Sequence, residues 1–309
     1  MSNNIRAFII DIGASKIEYL FLHNEKCIKM NINTPTKMDF EEDMEQLSNS
    51  FNFGKKTTFV VIAFPGIIKN GVIVKWPNKP YWEGNNIIER FIQMFDTKSI
   101  LIVEDCNAGA MASKYIFPDC SNSLFINVGT GIGSGIILNQ NLYSGENGFA
   151  GEFGHIVVDY FSDDICSCGR TGCLQLVASG KGMASLYKKS TNDQTDNTKW
   201  MNHSIGKKIL YKGAIYLGKS IANTVNLLDI NNVHISGSVL KNDIYRKQAL
   251  DTVMQEEKKF LSRKLSVVIT SEMNSSLLGA CIIAINKFSI SATTKKNVLA
   301  NFPRDGEMS

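Results

Sequence analysis

The stretch Leu124-Phe-Ile-Asn-Val-Gly-Thr-Gly-Ile-Gly-Ser-Gly-Ile-Ile-Leu138 predicts two buried β-strands joined by a glycine-rich turn. Glycine lets the backbone N–H groups of such a turn approach an anion closely. A Gly-x-Gly-x-Gly sequence can also belong to a dinucleotide-binding loop, but that fingerprint opens a helix. Here it leads into a strand and a polar turn at Asn139-Gln140-Asn141, so a strand–turn–strand unit that binds phosphate is favoured.

The same pattern occurs near the beginning of the sequence. Residues 7–22 read as two strands joined by a turn that contains Asp11 and Gly13, with Ser15 and Lys16 after it. Asp-x-Gly alone is a weak motif, and a plain hairpin is the alternative. The repetition predicts two phosphate-binding turns and a duplicated α/β fold of the actin and hexokinase (ribonuclease H-like) type, with two domains and an interdomain cleft.

A third informative stretch follows the second turn. It reads Gly151-Glu-Phe-Gly-His155, then ten residues, then Cys166-Ser-Cys-Gly-Arg-Thr-Gly-Cys-Leu-Gln175. Three cysteines and one histidine, namely Cys166, Cys168, Cys173 and His155, make a complete tetrahedral set for a structural Zn²⁺ ion. The alternative is a loop with three reduced cysteines and a buried histidine. A disulfide is disfavoured because three cysteines this close cannot all pair.

This histidine and cysteine pattern resembles the ROK family, which contains sugar kinases and repressors. The resemblance extends over residues 7 to about 284. It implies a kinase that transfers the γ-phosphoryl group of ATP to a hydroxyl group of a hexose or hexose derivative, with the 6-hydroxyl expected. The implied cofactors are ATP, Mg²⁺ and a structural Zn²⁺. The implied nucleotide-binding residues are Asp11, Gly13, Ser15, Lys16, Gly129, Thr130, Gly131, Gly133 and Gly237.

Asp105 is the candidate catalytic residue. It follows the apolar run 99–103 and precedes a segment rich in small residues, as expected where a buried strand leads into a helix. From the residues alone, Asp105 is more simply a helix cap, because aspartate is a preferred cap. The resemblance reverses this preference, since the family's Asn-Asp-x-Asn motif carries the general base at the aspartate, which maps to Asp105.

The resemblance also implies a set of residues that bind the sugar. Gly66 and Asn78 stand in Pro-Gly and Pro-Asn segments, for which plain surface turns are the alternative. His155 can bind zinc through one ring nitrogen and a sugar hydroxyl through the other. The complete set is Gly66, Asn78, Glu104, Asp105, Glu152, His155 and Gln175.

Two of these positions depart from the family pattern. The family usually has asparagine at the position of Glu104 and glutamate at the position of Gln175. An ionised carboxylate only accepts hydrogen bonds, whereas an amide donates and accepts. Because a site rejects ligands that leave its polar groups unpaired, we expect either a preferred sugar other than plain glucose or weak binding of glucose.

Composition limits the class of protein. The 309 residues are 44% hydrophobic and 20% charged, with a net charge of +4, as in ordinary globular proteins. Neither a long basic run nor an apolar run of membrane-spanning length occurs, so no nucleic-acid or membrane partner is expected. No signal-peptide pattern precedes the first strand, and with the reduced thiols this favours the cytoplasm. A homodimer is expected from the resemblance only.

The expected domains are a small α/β domain over residues 1–112 and a larger one over 113–287 that carries the zinc loop. A helix at about 288–301 is expected to complete the first. The competing functional interpretation is a sugar-sensing or weakly catalytic ROK protein without a DNA-binding domain. ROK repressors carry an amino-terminal helix-turn-helix segment, for which the turn at residue 11 leaves no room. His234, within the apolar run 233–239, is expected to be a core residue.

Overall fold

The computed structural model describes residues 5–51, 56–191, 198–260, 264–302 and 307–308. The chain divides into two compact units. The first consists of Met1–Ala112 and Asn274–Pro303, and the second of Ser113–Met273 and Arg304–Ser309. None of the helices in the described residues combines the length and the apolar composition that a membrane span requires.

The elements follow in chain order. The strands are β1 (Arg6–Ile12), β2 (Lys16–His23), β3 (Lys26–Asn33), β4 (Phe59–Phe64), β5 (Ile67–Lys69), β6 (Val72–Lys75), β7 (Ile100–Glu104), β8 (Ser123–Val128), β9 (Ile132–Leu138), β10 (Asn141–Leu142), β11 (Asn232–Ser236), β12 (Ser266–Thr270) and β13 (Glu307–Met308). The helices are α1 (Phe40–Ser50), α2 (Ile87–Phe95), α3 (Asp105–Ile116), α4 (Leu174–Ala178), α5 (Gly180–Thr191), α6 (Ser204–Leu228), α7 (Asp243–Phe260), α8 (Ser275–Lys287) and α9 (Ala292–Leu299). Short 3₁₀ turns occupy Pro80–Trp82, Phe153–His155, Thr198–Asn202 and Ser238–Lys241.

The two main sheets share one topology. In the first unit the strand order is β3-β2-β1-β4-β7, with β1, β2 and β3 antiparallel and β1, β4 and β7 parallel. In the second unit the order is β10-β9-β8-β11-β12-β13, with β10, β9 and β8 antiparallel and β8, β11 and β12 parallel. Each glycine-containing turn joins the first two strands of its sheet. The duplicated α/β fold predicted from the repeated turns is therefore confirmed.

The first unit has a core rich in aromatic side chains. The chain enters this unit a second time at Asn274. Helix α8 packs on β1 and β4. A Cβ atom added to Gly279 of α8 would lie 1.6 Å from the Ala108 carbonyl oxygen, so only glycine allows this approach to α3. The expected second domain extended to residue 287. The chain instead returns to the first unit at Asn274, because α8 buries its small-residue face there.

The second unit has a separate aliphatic core between its sheet and helices α4, α5, α6 and α7. His234 lies in the centre of β11 and is 0% exposed. Its Nε2 atom is 2.6 Å from the Thr270 hydroxyl, and its Nδ1 atom is 3.2 Å from the Ser113 hydroxyl. His234 is therefore a hydrogen-bonded core residue, as expected.

His234 makes the second unit sensitive to acid. Burial lowers the pKa of His234 to about 3 from its usual 6.5. The unfolded chain therefore takes up a proton that the folded chain excludes, and stability is lost progressively as the pH falls from about 6.5 toward 3. Between about pH 7.5 and pH 5 the loss from this group is about 2 kcal/mol.

We expect His234→Gln to remove this acid sensitivity, because an amide can bond both hydroxyls without titrating. Urea unfolding of wild type and variant at both pH values measures the difference. The free energy of unfolding of the wild type, relative to that of the variant, should fall by about 2 kcal/mol between about pH 7.5 and pH 5. The exposed His23→Gln is the control, and a constant difference between wild type and His234→Gln would contradict the prediction.

Candidate active site

The first unit places Asp11 at the end of β1, in a cluster of polar side chains. The Asn274 side-chain amide donates hydrogen bonds to Asp11 Oδ2 (2.9 Å) and to Glu18 Oε2 (2.6 Å). The Asn274 Oδ1 atom accepts from the Leu277 backbone N–H, so the same side chain caps α8. Asn274 therefore holds two carboxylates at the point where the chain re-enters this unit.

The environment of Asp11 favours its protonated form more than usual. Burial raises the pKa of Asp11 to about 7, and the nearby carboxylates Asp105 and Glu18 add to this rise, while the Asn274 hydrogen bond opposes it. A bound cation would reverse the balance, because an opposite charge stabilises the carboxylate. Carboxylate oxygens are the ligands that Mg²⁺ prefers, so Asp11 is suited to hold the Mg²⁺ that accompanies the nucleotide.

The junction of β7 and α3 carries the two acidic residues Glu104 and Asp105. The Glu104 Oε2 atom accepts a hydrogen bond of 2.7 Å from the Asn107 backbone N–H, the third position of the helix. Glu104 therefore caps α3, and the Asp105 side chain is not required for that purpose. The simpler interpretation of Asp105 as the helix cap loses its support.

Asp105 is also chemically suited to accept a proton. Burial raises its pKa well above the usual value, and the adjacent Glu104 carboxylate raises it further by charge and by hydrogen bonding. A carboxylate with a raised pKa is a stronger base when it is ionised. The buried Asn107 Oδ1 atom has no hydrogen-bond partner among the described residues. Glu104, Asp105 and Asn107 therefore all place hydrogen-bond acceptor atoms at this end of the sheet.

The first phosphate turn is a tight connection between β1 and β2. The Gly13 N–H donates to the Lys16 carbonyl (2.9 Å), and a Cβ atom at Gly13 would lie 2.6 Å from that oxygen. Ser15 and Lys16 are exposed, and the Lys16 ammonium pairs with Glu18 at 2.9 Å. The turn therefore requires glycine and presents a hydroxyl and a cation beside Asp11.

The expected sugar loops lie in the same unit. Gly66 opens the β5–β6 hairpin, where a Cβ atom would lie 2.7 Å from the Lys75 carbonyl oxygen. Asn78 is exposed between buried Trp76 and buried Lys79. Both positions are thus structurally constrained, and the Asn78 amide is available to a ligand.

The second unit forms the glycine-rich turn between β8 and β9. The Gly129 N–H donates to the Gly131 carbonyl (2.9 Å), while Thr130 and Gly131 are exposed. Gly133 pairs with Asn127 inside the ladder, so its role is to shape the hairpin. Gly237 has a φ of +116°, and a Cβ atom there would lie 2.4 Å from the Val128 carbonyl oxygen. The turn after β11 can therefore approach the β8 turn only with glycine.

A cavity of about 530 Å³ lies beside this turn, wholly within the second unit. Its lining includes Gly129, Lys181, Trp200, Ser238, Lys241 and Asn242. Clefts of this size are typical of small-molecule and cofactor sites. Lysine side chains and the exposed turn supply cations and backbone donors for phosphate groups, and Trp200 supplies an apolar surface.

The four expected zinc ligands come together in the second unit. The ligand atoms of His155, Cys166, Cys168 and Cys173 all lie within 4.8 Å of one another. Adjacent ligand atoms of tetrahedral Zn²⁺ are roughly 3.3–3.8 Å apart, given the usual Zn–N and Zn–S bond lengths. The Cys168–Cys173 sulfur distance of 3.6 Å and the 3.4 Å from Cys166 Sγ to His155 Nδ1 agree with that spacing. The donor set therefore fits zinc.

The surroundings of the loop favour a metal-binding thiolate. Burial raises the pKa of Cys168, but hydrogen bonds from Arg170 and the other cysteines outweigh this and lower it to about 6. Arg170 also donates to the His155 carbonyl oxygen at 2.9 Å. The His155 Nε2 atom, on the side of the ring opposite Cys166, lies 3.8 Å from Glu152 Oε2. Glu152 and His155 are thus neighbours, as the sugar-binding interpretation requires.

Gln175 has a neighbour in the zinc loop that the sequence does not indicate. Its Nε2 atom donates to Cys166 Sγ at 3.0 Å and to the Ser167 hydroxyl at 3.2 Å. The side chain is therefore directed at the zinc loop. An expectation based on position alone could not anticipate this, because an amide can donate to sulfur whereas a glutamate cannot.

Comparison with known proteins decides the family. A model of the ROK family matches residues 8–287. The chain belongs to the ROK family. An N-acetylmannosamine kinase from Salmonella typhi is 27% identical over 291 residues, which cover 89% of this chain and 97% of that protein.

Other proteins resemble a smaller part of the sequence or the fold alone. A putative xylose repressor from Caldicellulosiruptor sp. (strain Rt8B.4) is 37% identical over 131 residues, so the match spans 41% of this chain and 32% of the repressor. A ROK hexokinase from Thermus thermophilus superposes with a TM-score of 0.77 at 22% identity, covering 92% of this chain and 99% of that one. The hexokinase shows that the fold is shared.

Several residues of the site escaped sequence reasoning. The expected set lacks Asn274 and the cavity residues Lys181, Ser238, Lys241 and Asn242. Asn274 stands before Ser-Ser-Leu-Leu, a position typical of a helix cap, and that signal identifies the cap but not the bond to Asp11. The cavity residues follow α4 and β11 and carry no motif of their own.

Proposed function

We propose that this ROK chain is an ATP-dependent sugar kinase. Its proposed acceptor is N-acetylmannosamine or a related N-acylated hexosamine, phosphorylated at the 6-hydroxyl. The observation that carries the proposal is Asp105, a carboxyl with a raised pKa at the end of β7 whose helix is capped by Glu104. The proposal includes a homodimer, which rests on the family resemblance only, and a cytoplasmic location without a nucleic-acid partner, which rests on the composition of the sequence.

Asp105 is the general base in this proposal. As the sugar hydroxyl attacks the γ-phosphorus, its proton passes to an Asp105 carboxylate oxygen, and the bond between the γ-phosphorus and the bridging oxygen breaks to release ADP. Phosphoryl transfer depends largely on positioning and on stabilising charge. The base therefore has to be held in place, and its position at a strand-to-helix junction provides this.

The nucleotide is held by the turns and by the cavity. The N–H groups of Gly13 and Gly129 already bond within their turns, so the proposed phosphate ligands are the exposed backbone at Thr130 and Gly131 and the hydroxyls of Ser15 and Thr130. Gly237, Ser238 and the cavity beside them are proposed for the nucleoside. Asp11 would hold Mg²⁺ through water, and Mg²⁺ would neutralise charge on the phosphates. Lys16 and Asn274 orient the surrounding carboxylates.

The sugar is bound by hydrogen-bonding groups from loops of the chain. Gly66, Asn78, Glu104, Glu152, His155 and Gln175 are the proposed ligands, and the Gln175 amide also donates to the zinc loop. His155, Cys166, Cys168 and Cys173 would hold Zn²⁺ in a structural site, because a complete ligand set leaves no position for an activated water. The zinc would fix the ring of His155 so that its Nε2 atom can face a hydroxyl.

Glu104 bears on the choice of sugar. Its carboxylate can only accept, and the acetamido group of an N-acylated hexosamine offers an N–H donor where glucose has a hydroxyl. The similarity to the Salmonella typhi kinase over most of both chains supports the same acceptor class. The hydroxyl of glucose can also donate to this carboxylate, so Glu104 accommodates the N-acylated sugar without excluding glucose.

We expect N-acetylmannosamine to give the highest kcat/KM in a coupled ADP-release assay with ATP and Mg²⁺. The panel contains N-acetylmannosamine, N-acetylglucosamine, mannose, glucose and fructose. A difference of about 10-fold or more over glucose corresponds to one hydrogen bond that the site makes only to the preferred sugar. Phosphorus NMR of the product identifies the hydroxyl. A clear preference for glucose would contradict the proposed acceptor.

A second candidate function is a sugar-binding sensor with little or no turnover. It is favoured by Gln175, whose amide N–H donates to Cys166, and by the partial similarity to a repressor. Calorimetric binding of a sugar, together with no ADP release above that of a buffer blank, would support the sensor and overturn the kinase.

A further inference from the structure

Gln175 contacts two different parts of the second unit. Its Nε2 atom donates to the sulfur of Cys166 at 3.0 Å. On the other side of the same amide, the Oε1 atom would lie 3.4 Å from a Cβ atom added at Gly131, so it faces the glycine-rich turn. A single side chain thus bonds a metal ligand and lies beside a phosphate-binding turn.

The backbone around Gln175 makes the same connection. Cys173, a metal ligand, precedes α4, and the Leu174 N–H donates to the Ile156 carbonyl next to His155 (2.9 Å). At the other end of α4, the Gly180 N–H donates to the Gly129 carbonyl (2.9 Å) and the Lys181 N–H to the Thr130 carbonyl (3.1 Å). The segment 173–181 therefore begins at the zinc loop and ends on the turn.

We propose that Gln175 is a positioning residue that holds the Cys166 thiolate toward the metal and supports the glycine-rich turn, so that zinc occupancy and nucleotide affinity depend on each other. The inference rests on the zinc and nucleotide sites of the proposed function. N–H donors to a metal-bound ligand fix its direction, and outer-shell groups of this kind influence affinity as the ligands do. Zinc would order the segment 173–181, and the ordered segment would hold the turn ready for phosphates.

The first test measures metal retention. Gln175→Met keeps the length of the side chain but removes both N–H donors, and Gln175→Glu keeps its shape but has no donor to offer a thiolate. Competition against a colorimetric zinc chelator should show an apparent zinc affinity about 10–100-fold lower for both variants. Gln46→Glu, on the exposed face of α1 in the first unit, is the matched control. Wild-type zinc affinity in both variants, or no zinc bound by the wild type, would overturn the inference.

The second test measures the coupling. Calorimetry with a non-hydrolysable ATP analogue should give tighter binding to zinc-loaded than to zinc-stripped wild type, by about 5-fold or more. Linkage requires the analogue to raise the zinc affinity by the same factor. In Gln175→Met, kept loaded by excess zinc, the zinc-dependent difference should shrink. Equal analogue affinity of the wild type with and without zinc would overturn the coupling.

These readouts separate the inference from the proposed function. Neither experiment requires transfer of a phosphoryl group to a sugar. A chain that retains zinc through Gln175 and binds the analogue, but phosphorylates no sugar, would defeat the kinase proposal and support the inference. An active kinase whose Gln175 variants keep full zinc affinity would support the kinase proposal and defeat the inference.

Discussion

Replacing Asp105 by asparagine is expected to lower kcat by about 10²–10⁴-fold, the usual contribution of a general base. The amide has nearly the same shape as the carboxylate but cannot accept the hydroxyl proton. Because Glu104 caps α3 through the Asn107 N–H, the substitution removes no cap. Steady-state ADP release with the preferred sugar measures the effect.

Binding measurements make the interpretation of this variant specific. Sugar and ATP-analogue affinities should change little, since the loss concerns the transition state and not the ground state. Asp119→Asn, an exposed carboxylate after α3, is the control for the same chemical change. Turnover by Asp105→Asn within a few-fold of the wild type would refute the role of Asp105.

The pH profile supplies an independent readout of the same role. Burial, and then the Glu104 carboxylate, raise the pKa of Asp105. The acidic limb of kcat/KM, where the base is lost to protonation, should therefore lie at a higher pH than for an ordinary aspartate. Removing one carboxylate by Glu104→Gln should move that limb to lower pH. An acidic limb unchanged by Glu104→Gln would mean that another group titrates.

The features of the fold that the sequence predicts are those that follow from short stretches of sequence. The turns at Gly13 and Gly129 lie between apolar runs, and their repetition predicts two sheets of like topology because each turn joins the first two strands of its own sheet. Cys166, Cys168 and Cys173 are close in the chain, so their convergence with His155 requires only the curl of one loop. Such features need no knowledge of distant contacts.

Most of the contacts that sequence reasoning missed join residues far apart in the chain. Asn274 reaches Asp11 across 263 positions, and no local pattern signals that bond. Gln175 is close in sequence to Cys166, yet its orientation follows from the choice of amide over carboxylate and from the packing of α4. The return of the chain at Asn274 likewise depends on the fit of Gly279 against Ala108, which no periodicity reveals.

One such distant contact is an ion pair in the first unit, between Lys79 and Asp43. The Lys79 Nζ atom lies 3.0 Å from Asp43 Oδ2, and the two side chains are 3% and 0% exposed. Lys79 also donates to the Pro35 carbonyl and to the Tyr81 hydroxyl. Asp43 also accepts from the Trp82 indole N–H (2.8 Å). The pair therefore fastens the loop that carries Asn78 to α1.

Lys79→Met is expected to destabilise the chain by about 3–5 kcal/mol, because it leaves the Asp43 carboxylate buried without its cation. Burial alone would raise the pKa of Asp43, and it is the hydrogen bonds from Lys37, Lys79 and Trp82 that lower it. Urea unfolding measures the loss. Lys75→Met is the matched control, since Lys75 is half exposed and pairs with Glu83 at 3.5 Å, an arrangement worth about 0–1 kcal/mol.

A second substitution distinguishes an uncompensated charge from lost packing. Asp43→Asn in the Lys79→Met background removes the buried charge while the amide can still accept from the indole. The double variant should recover a substantial part of the lost stability, since neutralising an unpaired buried ion relieves its desolvation cost. If the double variant were no more stable than Lys79→Met, the ion pair would not explain the loss. Recovery would show that Asn78 is held by a charge pair buried one residue away from it.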